Sequence, residues 1–218
     1  YYSEMCIRDR YYVIYNYMVK IIMIVGLRHC GSTLLFNLNR FIYEKYKKKY
    51  VSIYVDREKI KVISDSKYNK LIGLNINQNN VKKIKNMFSN KDYILIKIHE
   101  HNKILHNQSD IVILPVRDIR DCLMSAIKRK FVYSPINESM NGWFSKHIGY
   151  FNKWKTKYDY KFVYEKDIKN LNNTIKEILN LYKISGNKTI IDDIVKLCNE
   201  LKNKKQNYTK TLLAPSNN

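Results

Sequence analysis

Two stretches carry residue types that could do chemistry at useful spacing. One is Gly26-Leu27-Arg28-His29-Cys30-Gly31-Ser32-Thr33, and the other is Arg117-Asp118-Ile119-Arg120-Asp121-Cys122-Leu123-Met124-Ser125. The first puts a glycine at each end of a compact loop, with two hydroxyl residues directly after it. Backbone N–H groups of such a loop converge on one point, and a helix that follows adds the positive end of its dipole. That arrangement suits a phosphate-like anion. Gly26-x4-Gly31 has the spacing of a nucleotide-binding P-loop, yet Ser32 stands where the phosphate-reaching lysine belongs. A cysteine-phosphatase loop would need arginine at position 36, which is Phe36. The loop is therefore read as an anion cradle built for neither chemistry, with an ordinary glycine turn as the plain alternative.

The flanking elements must position it. Lys20–Val25 is a β-branched apolar run and predicts a buried strand, while Leu34, Leu35 and Leu38 recur at helical spacing. Further strands are predicted over 51–55, 93–98, 111–116 and 160–164. Helices are predicted over 33–48, 81–88, 118–130 (capped by Asp118), 138–156, from 167 onward, and over 189–204. Residues 57–80 are polar and read as irregular, either a loop over a site or a surface connection. Strands alternating with helices predict an α/β fold: a three-layer, P-loop NTPase-like domain whose central, mainly parallel sheet has about five strands. Ligands of such sheets sit beyond the carboxyl ends of the strands. The loop at 26–33, His99 and Arg117 each follow a predicted strand, so all three belong to one rim.

Taken together, these segments resemble the sulfotransferases that use 3′-phosphoadenosine 5′-phosphosulfate (PAPS). Their first motif runs Gly-x-Pro-(Arg/Lys)-Ser-Gly-(Ser/Thr)-Thr-x-Leu, matched by Gly26 to Leu35 with Arg28 and His29 in the proline and basic positions. Their second runs Arg-(Asn/Asp)-Pro-(Arg/Lys)-Asp-x3-Ser; Arg117, Asp118, Arg120, Asp121 and Ser125 match, and Ile119 replaces proline. A Lys-x-His strand end lies between them as Lys97-Ile98-His99, and a later Tyr-Glu falls at Tyr164-Glu165. The resemblance spans about residues 20–185.

The resemblance implies donor contacts from the 5′-phosphosulfate to Cys30, Gly31, Ser32 and Thr33, with Arg28 or His29 taking over the usual basic residue. It implies a 3′-phosphate site at Arg117 and Ser125, and Tyr164 near the adenine. His99 is the expected base for an acceptor hydroxyl, with Arg28 and His29 assisting catalysis and His101 and His106 as rival bases. The plain alternatives are surface pairing of Arg117 and Arg120 with Asp118 or Asp121, a packing role for His99, and a core role for Tyr164. No metal is expected. A thiol at a helix N-terminus is acidified, so Cys30 is expected to be more acidic than usual, though read chiefly as a small loop residue.

Composition bounds the rest. The 218 residues, 45% of them hydrophobic, can bury the core of a single domain. A net charge of +21 invites anionic partners, but the lysines are spread along the chain, and a coding bias toward A and T explains the abundance of Lys, Asn, Ile and Tyr. Nucleic acid is not the expected partner. A P-loop nucleotide kinase and a nonenzymatic polyanion binder are the alternative functions. Four scattered cysteines and the lack of an evident signal peptide point to the cytoplasm. The apolar stretch 11–25 is interrupted by Asn16 and Lys20 and falls short of the roughly 20 residues a span needs. Residues 1–17 read as an extension or artefact, 18–218 as the domain, with contacts beyond Thr211–Pro215 expected to be missing. The acceptor is not legible.

Overall fold

A computed structural model describes residues 19–128, 142 and 145–203. Its sheet has six strands: β1 (Lys20–Ile24), β2 (Tyr50–Asp56), β3 (Lys59–Ile63), β4 (Tyr93–Ile98), β5 (Ile111–Val116) and β6 (Tyr160–Val163), in the order β3-β2-β4-β1-β5-β6. Every neighbouring pair is parallel except β2–β3. The described helices are α1 (Ser32–Lys45), α2 (Gln78–Met87), α3 (Lys103–Gln108), α4 (Ile119–Lys128), α5 (Ser145–Trp154), a single turn α6 (Tyr164–Asp167), α7 (Leu171–Leu181) and α8 (Lys188–Asn203), with a 3-10 helix over Ser66–Leu71.

Alternation along β1 shows why the sheet is covered on both faces. Ile21, Met23 and Val25 pack with Val81 and Ile84 of α2, Leu105 of α3 and Trp154 of α5. Ile22 and Ile24 pack with Leu35 and Leu38 of α1, Ile175 of α7 and Ile194 of α8. A strand buried on both sides reads as a continuous apolar run, which is what Ile21–Val25 is. The result is the expected three-layer α/β architecture.

The sheet has one strand more than the sequence reading counted. β3 lies inside 57–80, which was expected to be irregular. Lys59-Ile60-Lys61 alternates charged and apolar residues, and Ile60 is fully buried. The hairpin joining it to β2 turns at Arg57 and Glu58, with φ of 49° and 59°. Tight hairpins of this hand usually announce themselves with Asn-Gly. An Arg-Glu turn gives no such notice. The short α3 was also missed; Asn102 caps it by accepting from Leu105 N–H at 3.0 Å. Of the helix expected over 138–156, α5 is the part within the described residues. The expected end of α4 at Lys130, the turn at Ser134-Pro135, the extension 1–17 and the segment Thr211–Pro215 lie outside them. No helix among the described residues is long and apolar enough to cross a membrane.

Candidate active site

Strand register fixes the rim. Val55 pairs with Ile98, so Asp56, the last residue of β2, and His99, the first beyond β4, come side by side. Ile24 pairs with Lys97, two residues before Gly26. Val116 pairs with Val163, so Arg117 and Tyr164 leave β5 and β6 side by side. The carboxyl ends of five neighbouring strands thus deliver Asp56, His99, the 26–31 loop, Arg117 and Tyr164 to one edge.

The loop is shaped by glycines used for close approach. At Gly26 (φ 109°) a Cβ would stand 2.8 Å from the Pro115 carbonyl of β5. At Gly31 (φ 92°) it would stand 2.3 Å from Cδ2 of Tyr164. Gly31 is also the residue from which α1 starts, its carbonyl accepting from Leu35 N–H at 3.1 Å. Gly31→Ala is therefore expected to destabilise the protein by about 1–3 kcal/mol through backbone strain alone, and to push the Tyr164 ring away. A denaturant titration checks this; an unchanged midpoint would mean that the loop relaxes around the new methyl group.

Cys30 faces inward. It is fully buried with Leu27, Cys122 and Leu123, a small cluster that seats the loop on α4 and, through Ile148 and Phe151, on α5. The expected acidification is not found. Burial foremost, then the nearby Cys122, pushes the Cys30 thiol up to about 12, outweighing the backbone N–H groups and Lys97. Cys30 is a packing residue. Its N–H closes a turn onto the Leu27 carbonyl at 3.4 Å.

The two basic loop residues go to opposite sides. Arg28 forms an ion pair with Asp56, and its Nε donates to Nε2 of His147 on α5 at 3.1 Å. His29 sits in the left-handed region (φ 66°), with Nδ1 3.5 Å from Ser125 Oγ of α4 and its carbonyl accepting from Arg117 Nη1 at 3.2 Å. The cation that reaches the cradle comes from β4. Tyr93, Leu95 and Lys97 share one face of that strand, and the first two pack in the α1 layer. Lys97, 4% exposed, ends this row and donates from Nζ to Thr33 Oγ1 in the first turn of α1 at 2.7 Å. Ser32 is buried beside it. A lysine thus reaches the first turn of α1 from a neighbouring strand, although position 32 is serine. In the sequence Lys97 stands out only as part of the Lys97-Ile98-His99 strand end.

His99 is buried, and its Nδ1–H donates to the Gly26 carbonyl at 3.0 Å. A carbonyl can only accept, so the lone pair is on Nε2. Burial foremost, then Lys97 and Arg28, lowers its pKa well below the ordinary 6.5, against the Gly26 carbonyl, which favours the proton. The rival histidines are engaged elsewhere: His106 donates to the Lys157 carbonyl at 2.9 Å, His101 lies 3.1 Å from His106, and both rings pack on Trp154.

Arg117 lies over the Tyr164 ring at 4.6 Å, on the loop side of the rim. Asp121 and Glu165 approach it only to 3.9 Å, and its buried Nε has no hydrogen-bond partner. Arg120 follows the plain alternative. It is 85% exposed and clasps the Asp118 carboxylate at 2.7 Å and 3.0 Å. Asp118 also accepts from Arg120 N–H at 2.9 Å, the helix cap expected of it, and its carboxyl is pulled down to about 2 by those bonds. Among the described residues no group of three or more His, Cys, Asp or Glu side chains gathers as a metal site.

A strand–loop–helix cradle with cationic side chains on the same rim of a mainly parallel sheet defines a P-loop-like α/β domain. Residues 20–217 match the family described as Sulfotransferase domain, and the chain belongs to that family. Among solved structures, it is similar in fold to mouse sulfotransferase SULT7A1 complexed with PAP: 14% identity, 92% of this chain and 73% of that one covered, TM-score 0.62. A retinol dehydratase in complex with retinol and PAP gives 16% identity over 90% of this chain and 68% of that one, with a TM-score of 0.47. A search of curated proteins by sequence found no match.

Proposed function

We propose that this protein transfers a sulfuryl group from PAPS to an acceptor hydroxyl or amine. The observation that carries the proposal is Arg117, a second cationic point joined to the anion cradle through the His29 carbonyl, with a buried Nε still lacking a partner. The donor has two separate anionic ends, and a cradle plus a nearby guanidinium with unmet donors is complementary to both. Membership of the sulfotransferase family supports the reaction class. The mouse neighbour's complex with PAP, the desulfated donor, supports the choice of donor.

In this reading Thr33, Ser32 and the N–H groups of the loop and first helical turn hold the 5′-phosphosulfate. Lys97 stabilises the charge that develops on the leaving phosphate, the role that the family pattern suggested for Arg28 or His29. Arg117 and Ser125 hold the 3′-phosphate, and Tyr164 braces Arg117 and the loop beside the adenine. The acceptor gives its proton to Nε2 of His99 while its oxygen or nitrogen bonds to sulfur and the sulfur–oxygen bond to the donor phosphate breaks. PAP and the sulfated acceptor leave. Positioning and electrostatic stabilisation supply most of the acceleration.

Arg117→Ala tests the proposal. It is expected to weaken PAP by about 1.5–3 kcal/mol, the scale of a hydrogen bond to a charged group, and to leave ADP, which lacks the 3′-phosphate, nearly unchanged. Calorimetry on both nucleotides checks this. Equal losses for the two would remove the 3′-phosphate role. Transfer is then followed as radiolabelled sulfuryl passing from PAPS to a panel of alcohols, phenols, sugars and amines.

A further inference from the structure

We propose that Glu165 is a built-in competitor for the 3′-phosphate, a carboxylate poised to refill that site and hasten departure of the spent donor. This rests on the donor reading above and concerns the same pocket. Glu165 is the second residue of α6, directly after Tyr164, and its Oε1 accepts from the backbone N–H of Asp118 at 3.0 Å. That N–H is the donor next in sequence to Arg117, so an anion seated on Arg117 lies within its reach. The same Oε1 stands 3.9 Å from Arg117 Nε, beyond hydrogen-bond distance, and Nε is buried without a partner. Glu165 therefore occupies one donor of the pocket and stands off from another. It neither saturates the guanidinium nor leaves the pocket neutral for a phosphate.

The carboxylate is able to yield. Its side chain is 44% exposed, whereas that of Arg117 is 22% exposed and fixed by the His29 carbonyl and the Tyr164 ring. An arriving phosphate would meet repulsion from Glu165 and from Asp121, itself 3.9 Å from Arg117 Nη2, and would take from Glu165 the Asp118 N–H that this carboxylate holds. On the return path the carboxylate recovers Asp118 N–H as the phosphate leaves. Product release limits turnover in many enzymes, and an internal anion lowers that barrier at the expense of affinity.

The opposite role would be support: a Glu165 that merely orients Arg117 or caps α4 would help the phosphate bind. The two roles predict opposite signs. Calorimetry and stopped-flow dissociation with PAP and ADP are run on the full chain, on Glu165→Gln, which keeps the acceptor oxygen without the charge, and on Glu165→Ala. Competition predicts that both variants bind PAP about three- to tenfold tighter, as expected for removing one like charge a few ångströms away across a solvated edge, and release it correspondingly more slowly, with ADP unchanged. Unchanged or weaker PAP binding in the isosteric Gln variant would overturn the assignment. A wild-type protein that did not prefer PAP to ADP would overturn the donor reading itself, and this one with it. A wild-type preference for PAP without tightening in either variant would reject Glu165 alone.

Discussion

His99→Ala is expected to slow sulfuryl transfer by about 10²–10⁴-fold, the usual contribution of a positioned general base. The side chain does two things that must be separated. Its Nδ1–H holds the Gly26 carbonyl at the mouth of the loop, and its Nε2 keeps the lone pair. Alanine removes both, so His99→Asn is the sharper variant: an amide N–H can keep the bond to Gly26 but offers no base. The Asn variant should be as inactive as Ala while binding PAP like the wild type. If it retained most of the activity, His99 would be an anchor of the loop and not the base. The pH dependence carries a second signature. Because burial, Lys97 and Arg28 hold the imidazole well below 6.5, it stays neutral and basic where a solvated histidine would already be half protonated. kcat/KM should stay level from about pH 8 down to 6.5. The same shift affects stability. The unfolded chain binds the proton near 6.5 and the folded chain resists it, so the unfolded state carries more protons as pH falls. The stability contributed by neutral His99 is complete above 6.5 and is lost progressively as pH drops toward the folded value.

Lys97→Met should reduce kcat by about 10²–10³-fold, the effect of deleting one preorganised electrostatic stabiliser, with a smaller effect on PAP binding. Lys97 is buried and its ammonium is directed to Thr33 Oγ1 at 2.7 Å. Holding a charge there has a desolvation cost that an apolar side chain of similar length avoids, so the Met variant should be as stable as the wild type or more so. A slower enzyme that melts no earlier is the pattern of a residue kept for chemistry. If kcat held while stability fell, Lys97 would be structural, and the search for the leaving-group cation would return to Arg28 and His29. Arg28 would then have to leave Asp56 and His147, and His29 would have to turn from Ser125.

The sequence exposed the parts of this fold that rest on local pattern. Ile21–Val25 and Ile111–Val116 are continuous apolar runs, and Tyr93–Ile98 is one broken only by Lys97, because both faces of each strand are covered, and the Gly26–Gly31 spacing marks the turn from sheet to helix. β3 was hidden because an Arg-Glu hairpin turn lacks the glycine that normally reveals one. Within the site, what was hidden is what only register creates. Strand alternation puts Lys97 on one face with Tyr93 and Leu95, but nothing local says that this face lies beneath α1. Nothing local says that Asp56 emerges beside His99 and binds Arg28, or that Glu165 comes to rest on the N–H of Asp118. Cys30 was misjudged in its acidity because a helix N-terminus is felt by an exposed thiol, whereas this one is closed off by Leu27, Cys122 and Leu123, and burial outweighs the dipole.

The most direct measurement is calorimetry of the wild-type protein with PAP, ADP and ATP under identical salt. Two anion sites on one rim, one for each end of the donor, predict that PAP binds most tightly and that ADP lags by about the 1.5–3 kcal/mol of a charged hydrogen-bond set. ATP binding as well as or better than PAP would contradict that arrangement, because it would mean that the rim reads a run of phosphates and not a separate 3′-phosphate.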